Sequence, residues 1–345
     1  MVRYQYLRRN IRSYLCLFIV ALLIGCQASI TILRHIYNLK LPKKHPVVSR
    51  YNYEQKSNDS YEKFIRWNRT LCSSTSDRRG PHQKIIAISI YAKGSKFVDN
   101  PMYSWESSVF VFLKPLAEEI GRLLPQWTLR IYIDFAGSTK FQQEYFKNFS
   151  NIDICDINNI PMFNSSLTSL LSGRMWRFIP IFDPYVDYLL SRDLDSPILQ
   201  REIETIDLWL SRDQEKNFFY IARDHSQHGV VILAGLWGAA LKNARKQLFD
   251  IFKPMLIPSI AEFYQNIGDQ NFLADIVWNS VKDYALIFDS YSCQTLGGRP
   301  FLSQRPSGDC YLGCIRPCCN NNSKTVSKPC PIECRPKEHL DWIYC

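Results

Sequence analysis

Apolar positions divide the chain into three regimes. Ser13–Leu33 runs for 21 residues without a charge, enough to cross a bilayer as a helix. From Arg34 to Gly80 the chain is polar and rich in Tyr, Asn, Lys and Ser, with no sustained helical or strand period. Beyond Gly80, short apolar runs alternate with stretches of helical spacing. Lys84–Ala92 (KIIAISIYA) predicts a buried strand dense in β-branched residues. Ser107–Leu124 follows as a helix, with Val111, Leu113, Leu116, Ile120 and Leu123 at helical spacing and Pro125 at its end. Trp127–Phe135 and Ile152–Ile157 read as the second and third strands, and Arg174–Tyr185 as a helix broken by Pro180 and Pro184. In the stretch that opens at Val186, the apolar run Tyr188–Leu190 reads as another buried strand, Arg201–Arg212 is an amphipathic helix, and Phe218–Ala222 is strand-like. Strands alternating with helices predict an α/β sheet that binds its ligand at the carboxyl edge.

The strand at Tyr188 ends in Asp193-Leu194-Asp195. In extended backbone, residues i and i+2 face the same side. The two carboxylates are therefore expected to converge on one hard cation, as Mg²⁺ or Mn²⁺ on a diphosphate requires. Pro197 stops the strand, because it has no N–H for the ladder. A solvated turn is the plain alternative. Arg174 and Arg177 stand at i and i+3 and share a helix face, suited either to phosphate oxygens or to a salt-bridged surface. Trp176, between them, belongs to the core.

Downstream, Asp224, His225 and His228 follow a strand and read as acceptor-hydroxyl ligands or as ordinary loop hydrogen-bonders. Their His-x-x-His spacing lacks the remaining ligands of a zinc site. Val230–Ala234 runs into Gly235-Leu236-Trp237-Gly238. Glycines there allow close backbone approach to a ligand and an indole can stack on a sugar; helix–sheet packing accounts for the same residues. Asp269 precedes the amphipathic Phe272–Trp278 and is placed to cap it.

Charge and cysteine content set the compartment. The formal charge of +10 is partly carried by Arg3, Arg8, Arg9 and Arg12 before the apolar segment and Arg34, Lys40, Lys43 and Lys44 after it. Basic residues alone therefore leave the orientation of that segment tied. No dense basic run interleaved with aromatics is present, which argues against a nucleic-acid partner. Five Asn-x-Ser/Thr sequons (Asn58, Asn68, Asn148, Asn164, Asn321) and ten of the twelve cysteines lie beyond Leu33, placing the bulk of the chain in the secretory lumen. The expected order is a cytosolic tail over 1–12, a transmembrane signal anchor over 13–33, a stem over 34–80, a body over 81–292 and a cysteine-rich extension over 293–345. A cleaved signal peptide, with Cys26-Gln-Ala-Ser29 near its end, competes with the retained anchor. Eight cysteines crowd the extension, enough for 105 connectivities. Cys72 and Cys155 remain as a candidate pair. The extension has little apolar content for a core of its own, so disulfides are expected to hold it.

Four motifs occur in order: Arg174-Met-Trp-Arg-Phe-Ile-Pro-Ile-Phe-Asp-Pro, Ser-Arg-Asp193-Leu-Asp195-Ser, Gly235-Leu-Trp-Gly238 and Gly268-Asp-Gln-Asn-Phe-Leu273. Together they resemble nucleotide-sugar-dependent glycosyltransferases of the GT-A fold over roughly 84–292. The Asp-Gln-x-x-Leu pattern at Asp269 is similar to that of retaining, galactosyltransferase-like members. The resemblance implies a GT-A-like mixed sheet flanked by helices, a nucleotide-sugar donor (a UDP-sugar), and Mn²⁺ or Mg²⁺ on its diphosphate. It makes Asp195 a direct metal ligand and Asp193 a ligand of the metal or of the ribose. Arg174 and Arg177 would approach the donor, and Asp269 would lie near the transferred sugar. Asp224, His225, Gly235 and Trp237 would face the acceptor. Many such enzymes add a late histidine as third metal ligand; here Tyr284–Tyr291 has none, leaving Asp289 as the nearby hard ligand. The implied protein is a type II membrane glycosyltransferase of the Golgi or endoplasmic reticulum, with a glycan, lipid or protein acceptor. Two other classes compete. A tethered, non-catalytic ectodomain would use the extension for recognition. A haloacid-dehalogenase-like phosphatase would use Asp193 as nucleophile, although Pro197 stands where its motif has Thr or Val.

Overall fold

A seven-stranded sheet organises the computed structural model, which describes residues 61–91, 105–134, 149–306, 309–319 and 328–345. The strands are β1 (Gln83–Ile90), β2 (Thr128–Ile133), β3 (Ile152–Asp156), β4 (Val186–Arg192), β5 (Phe219–Arg223), β6 (Leu236–Ala240) and β7 (Ala285–Asp289). Their order is β3-β2-β1-β4-β6-β5-β7. Only β6 runs against its neighbours; the other six strands point the same way. Because β1 is covered on both faces, its apolar run is unbroken, and Ile85, Ile86, Ala87 and Ile88 are all buried.

Helices α1 (Trp105–Leu123), α2 (Gln200–Leu210), α3 (Leu241–Phe252) and α4 (Pro258–Ile267) flank the sheet. Strand alternation decides which aromatic goes where. Tyr188 and Tyr220 meet Trp209 of α2 on one face. On the other, Trp237 stacks on Phe219 at 5.1 Å and on Phe252 of α3 at 5.5 Å. In α1, Leu113, Leu116 and Ile120 are buried as their spacing predicts, whereas Val111 is exposed.

One expectation needs correction, and two further segments gain definition. Arg174–Tyr185 forms a 3₁₀ segment over Gly173–Phe182 rather than a regular helix, in keeping with two prolines close together. Residues three apart eclipse in that geometry, so Arg174 and Arg177 still share a face. The apolar run Val230–Ala234 is a loop, and the strand begins only at Leu236. The described part of the expected stem, 61–80, is joined to the body: Phe64, Leu71 and Cys72 are buried. There, Thr70 Oγ1 and the Leu71 N–H donate to Asp183 at 2.7 and 3.0 Å.

Disulfides link Cys72–Cys155, Cys293–Cys334, Cys310–Cys319, Cys314–Cys318 and Cys330–Cys345. The candidate pair Cys72–Cys155 thus forms, and the extension's cysteines pair among themselves. The apolar segment 13–33 lies outside the described residues. Among the described residues, no helix is long and apolar enough to cross a membrane.

Candidate active site

A cavity of about 370 Å³ opens where the carboxyl ends of β1 and β4 lie side by side. From β1 the sheet continues through β2 to β3 on one side and through β4 on the other. That reversal is the switch point at which open α/β sheets bind ligands. The volume falls within the range of small-molecule sites.

The paired aspartates reach this cavity by a different route from the one their spacing suggests. β4 stops at Arg192, and Asp193 to Ser196 lie in a turn rather than in the strand. Both still line the cavity. The Asp193 side chain is 53% exposed, while Asp195 is buried. The turn is braced from outside: the Arg316 N–H donates to the Asp195 carbonyl at 2.9 Å. The Ile198 N–H and the Arg316 guanidinium both donate to Glu119 of α1, at 2.9 and 2.6 Å.

Arg177 joins the two acidic walls. Its guanidinium donates to Asp193 at 2.6 Å, to Asp269 at 2.7 Å and to the Arg192 carbonyl at 2.8 Å. Burial opposes its charge, but the carboxylates of Asp193 and Asp269 outweigh that and raise its pKa. Arg174, next on the same face, donates to the Tyr91 hydroxyl at 3.3 Å and lines the cavity.

Asp269 is buried and opens the short helix Asp269–Phe272, but the capping position belongs to Gly268 and no side chain caps there. Its Oδ1 accepts the Gln270 N–H at 2.9 Å, and its Oδ2 accepts from Arg177 beside the cavity. Gln270 holds the loop before β6: its amide donates to the Ile232 carbonyl, and it accepts from the Ala234 N–H at 3.1 Å. Ser191 Oγ donates to the Ala234 carbonyl at 2.7 Å. This loop sets Gly235 against Asp193, where a Cβ would lie 2.3 Å from Asp193 Oδ2. A side chain at 235 would displace the carboxylate beside it. Gly238 is required by sheet packing, since a Cβ there would lie 2.9 Å from the Leu189 carbonyl.

Four expected site residues are placed elsewhere. Trp237 is a core residue, its ring held between Phe219 and Phe252. Asp224 is fully buried; Arg201 and Arg305 donate to it at 2.9 and 3.1 Å, and the Ser290 hydroxyl at 2.7 Å. Burial pushes its carboxyl up, yet Arg201 and Arg305 prevail and hold it below the usual range. His225 stacks on Tyr311 at 4.2 Å and does not line the cavity. Asp289 accepts from Arg223 Nε and from the N–H groups of Tyr291 and Ser292. It too is absent from the cavity wall.

The structure adds Tyr91 and Gly313 to the wall, for which the sequence offered no signal, and His228, read from the sequence beside Asp224 and His225, lines it too. Among the described residues, the only close group of three or more His, Cys, Asp or Glu ligand atoms is Cys314, Cys318 and Cys319. All three sulfurs are in disulfides.

No protein-family model matches the chain, and no curated protein sequence matches it. Among solved structures, the chain is similar to the crystal structure of mouse xyloside xylosyltransferase 1 in its apo form. The identity is 11%, over 61% of this chain and 85% of that chain, with a TM-score of 0.35. The chemistry of the cavity therefore carries the functional reading.

Proposed function

We propose that this chain is a GT-A-type glycosyltransferase that moves a sugar from a UDP-sugar to a hydroxyl of a glycan, lipid or protein. One observation carries the reading. At the switch point of the sheet, two aspartates one residue apart face a cavity they share with Arg174, Arg177 and Asp269. A nucleotide diphosphate needs cationic partners and a sugar needs carboxylate and hydroxyl partners; both kinds of group are present in one wall.

The donor set fits a hard divalent cation. Asp193 and Asp195 supply oxygen ligands only, and Mg²⁺ is commonly held by one or two carboxylates together with substrate phosphates. Asp193 and Asp195 would hold such a cation, which would supply stabilisation of the negative charge on a departing diphosphate. Arg174 meets the diphosphate oxygens directly. Arg177 orients Asp193 and Asp269 together. Asp269 positions the acceptor hydroxyl and steadies positive charge at the reacting sugar carbon. Gly235 leaves room for the Asp193 carboxylate to turn toward the ligand. The body is proposed to work in the lumen of the Golgi or endoplasmic reticulum, tethered through 13–33. Five disulfides support an oxidising compartment.

Calorimetry with Mn²⁺ and a panel of nucleotide sugars tests the proposal. The expected result is metal-dependent UDP-sugar binding and turnover, both reduced at least about 100-fold in Asp195→Asn. A wild-type protein that binds no nucleotide sugar would overturn it. Phosphatase turnover through an aspartyl phosphate at Asp193 would replace it with the hydrolase reading.

A further inference from the structure

His228 enters the cavity from the turn after β5. Its Nδ1 accepts the Asp224 backbone N–H at 3.1 Å. A neutral imidazole carries one proton, so an Nδ1 that accepts leaves that proton on Nε2. The anchor for this arrangement is firm, because the Asp224 carboxylate is held by Arg201, Arg305, Ser290 and the Leu312 N–H. Gly313 lies against the other edge of the ring. A Cβ there would be 3.6 Å from His228 Cε1 and 3.8 Å from Nε2. Position 313 sets no side chain against the Cε1–Nε2 edge, and both residues line the cavity. Burial pushes the His228 pKa down to about 4, with His225, Arg305 and Arg223 adding to the fall and Asp224 opposing it.

We propose that His228 is a specificity-determining residue: a fixed, uncharged Nε2–H donor to a sugar hydroxyl, and not a metal ligand. The proposal rests on the transferase reading and deepens it. A charged imidazole would repel a cation at Asp193 and Asp195 and attract phosphate indiscriminately. A neutral donor does neither, and it rewards a hydroxyl oriented toward it. A bound sugar lacking that hydroxyl would shut the N–H away from water without a partner, the kind of mismatch by which polar pockets reject analogues.

Two measurements on the full chain test it. Nitrogen-15 NMR of histidine-labelled protein, with His228 assigned by difference from His228→Gln, should show the Nε2–H tautomer from pH 5 to 8, unchanged by saturating Mg²⁺. An Nδ1–H tautomer, or a metal-induced shift at Nε2, overturns the proposal. Kinetically, His228→Phe keeps the ring's bulk and removes the donor; kcat/KM should fall about 10- to 100-fold. His228→Gln, which restores an N–H, should recover part of that loss. Against a series of deoxy sugars, one analogue should be turned over equally by wild type and the Phe variant. Loss in donor hydrolysis assigns the hydroxyl to the donor sugar, and loss in transfer alone assigns it to the acceptor. Equal kcat/KM for wild type and His228→Phe with every sugar sinks the role. A wild type inert toward all nucleotide sugars sinks the transferase reading and the hydroxyl role with it, while the tautomer stands or falls on NMR alone.

Discussion

Arg177 donates to Asp193, to Asp269 and to the Arg192 carbonyl at once. Only a planar, multi-donor cation can do this; a lysine ammonium has three donors at one point. Arg177→Lys is therefore expected to keep the charge and lose the geometry. Nucleotide-sugar turnover should drop about 100-fold while thermal unfolding moves by only a few degrees. Turnover within a factor of three of wild type would show that the bridge is incidental. Gly235→Ala is a second test at this scale. Its Cβ would fall 2.3 Å from Asp193 Oδ2, so the carboxylate must move while the core stays as it is. Metal-dependent nucleotide binding should weaken about 10-fold or more, with little loss of stability. Calorimetric Kd values with and without Mn²⁺ check this. The candidate residues differ in how legible they were. Asp193, Asp195, Arg174 and Gly235 stand in short motifs and all line the cavity, although their contacts there, Gly235 with Asp193 and Arg174 with Tyr91, lie far apart in sequence. Trp237 does not line it: a strand pattern says that alternate residues part company but not which face holds the ligand.

The element scale shows the same limit more sharply. β1 to β5 were legible from short β-branched or aromatic runs, because most of their residues are buried. What those runs do not carry is the partner of each strand end. Arg223 and Asp289 stand opposite each other in the parallel register of β5 and β7. Their ion pair removes Asp289 as a free ligand, yet 66 residues separate them. Asp224 is a similar case. It ties α2, the turn after β7 and the extension together through Arg201, Ser290, Arg305 and the Leu312 N–H. Asp224→Asn leaves two buried guanidiniums facing a neutral group, which is expected to cost about 3–5 kcal/mol at pH 7. Because the folded carboxyl pKa is depressed, this stabilisation is present above the unfolded value of about 3.9 and is lost as pH falls further. Urea unfolding should thus separate wild type from Asp224→Asn widely at pH 7 and progressively less as pH falls below about 3.9. A gap that stays constant over that range would contradict the assignment.

For the molecule as a whole, the cysteine-rich extension is part of the site rather than an appendage. Gly313 lines the cavity, and the Arg316 N–H and guanidinium hold the Asp195 turn and Glu119. The segment that carries both residues is closed by Cys310–Cys319 and Cys314–Cys318. These loops are short, and 309–319 has little apolar surface with which to hold its own shape; Leu312 is its buried aliphatic residue. Opening the two disulfides should therefore free this segment before the sheet unfolds, because the sheet keeps its own apolar core and Cys72–Cys155. Gentle reduction of the intact protein, followed by alkylation and mass mapping, should show UDP-sugar turnover falling in step with Cys310, Cys314, Cys318 and Cys319 becoming labelled. Far-ultraviolet circular dichroism should stay constant over the same interval. Turnover that persists with all four thiols labelled would mean that the Asp195 turn stands without the extension. The role of residues 309–319 would then be confined to contacts outside the cavity.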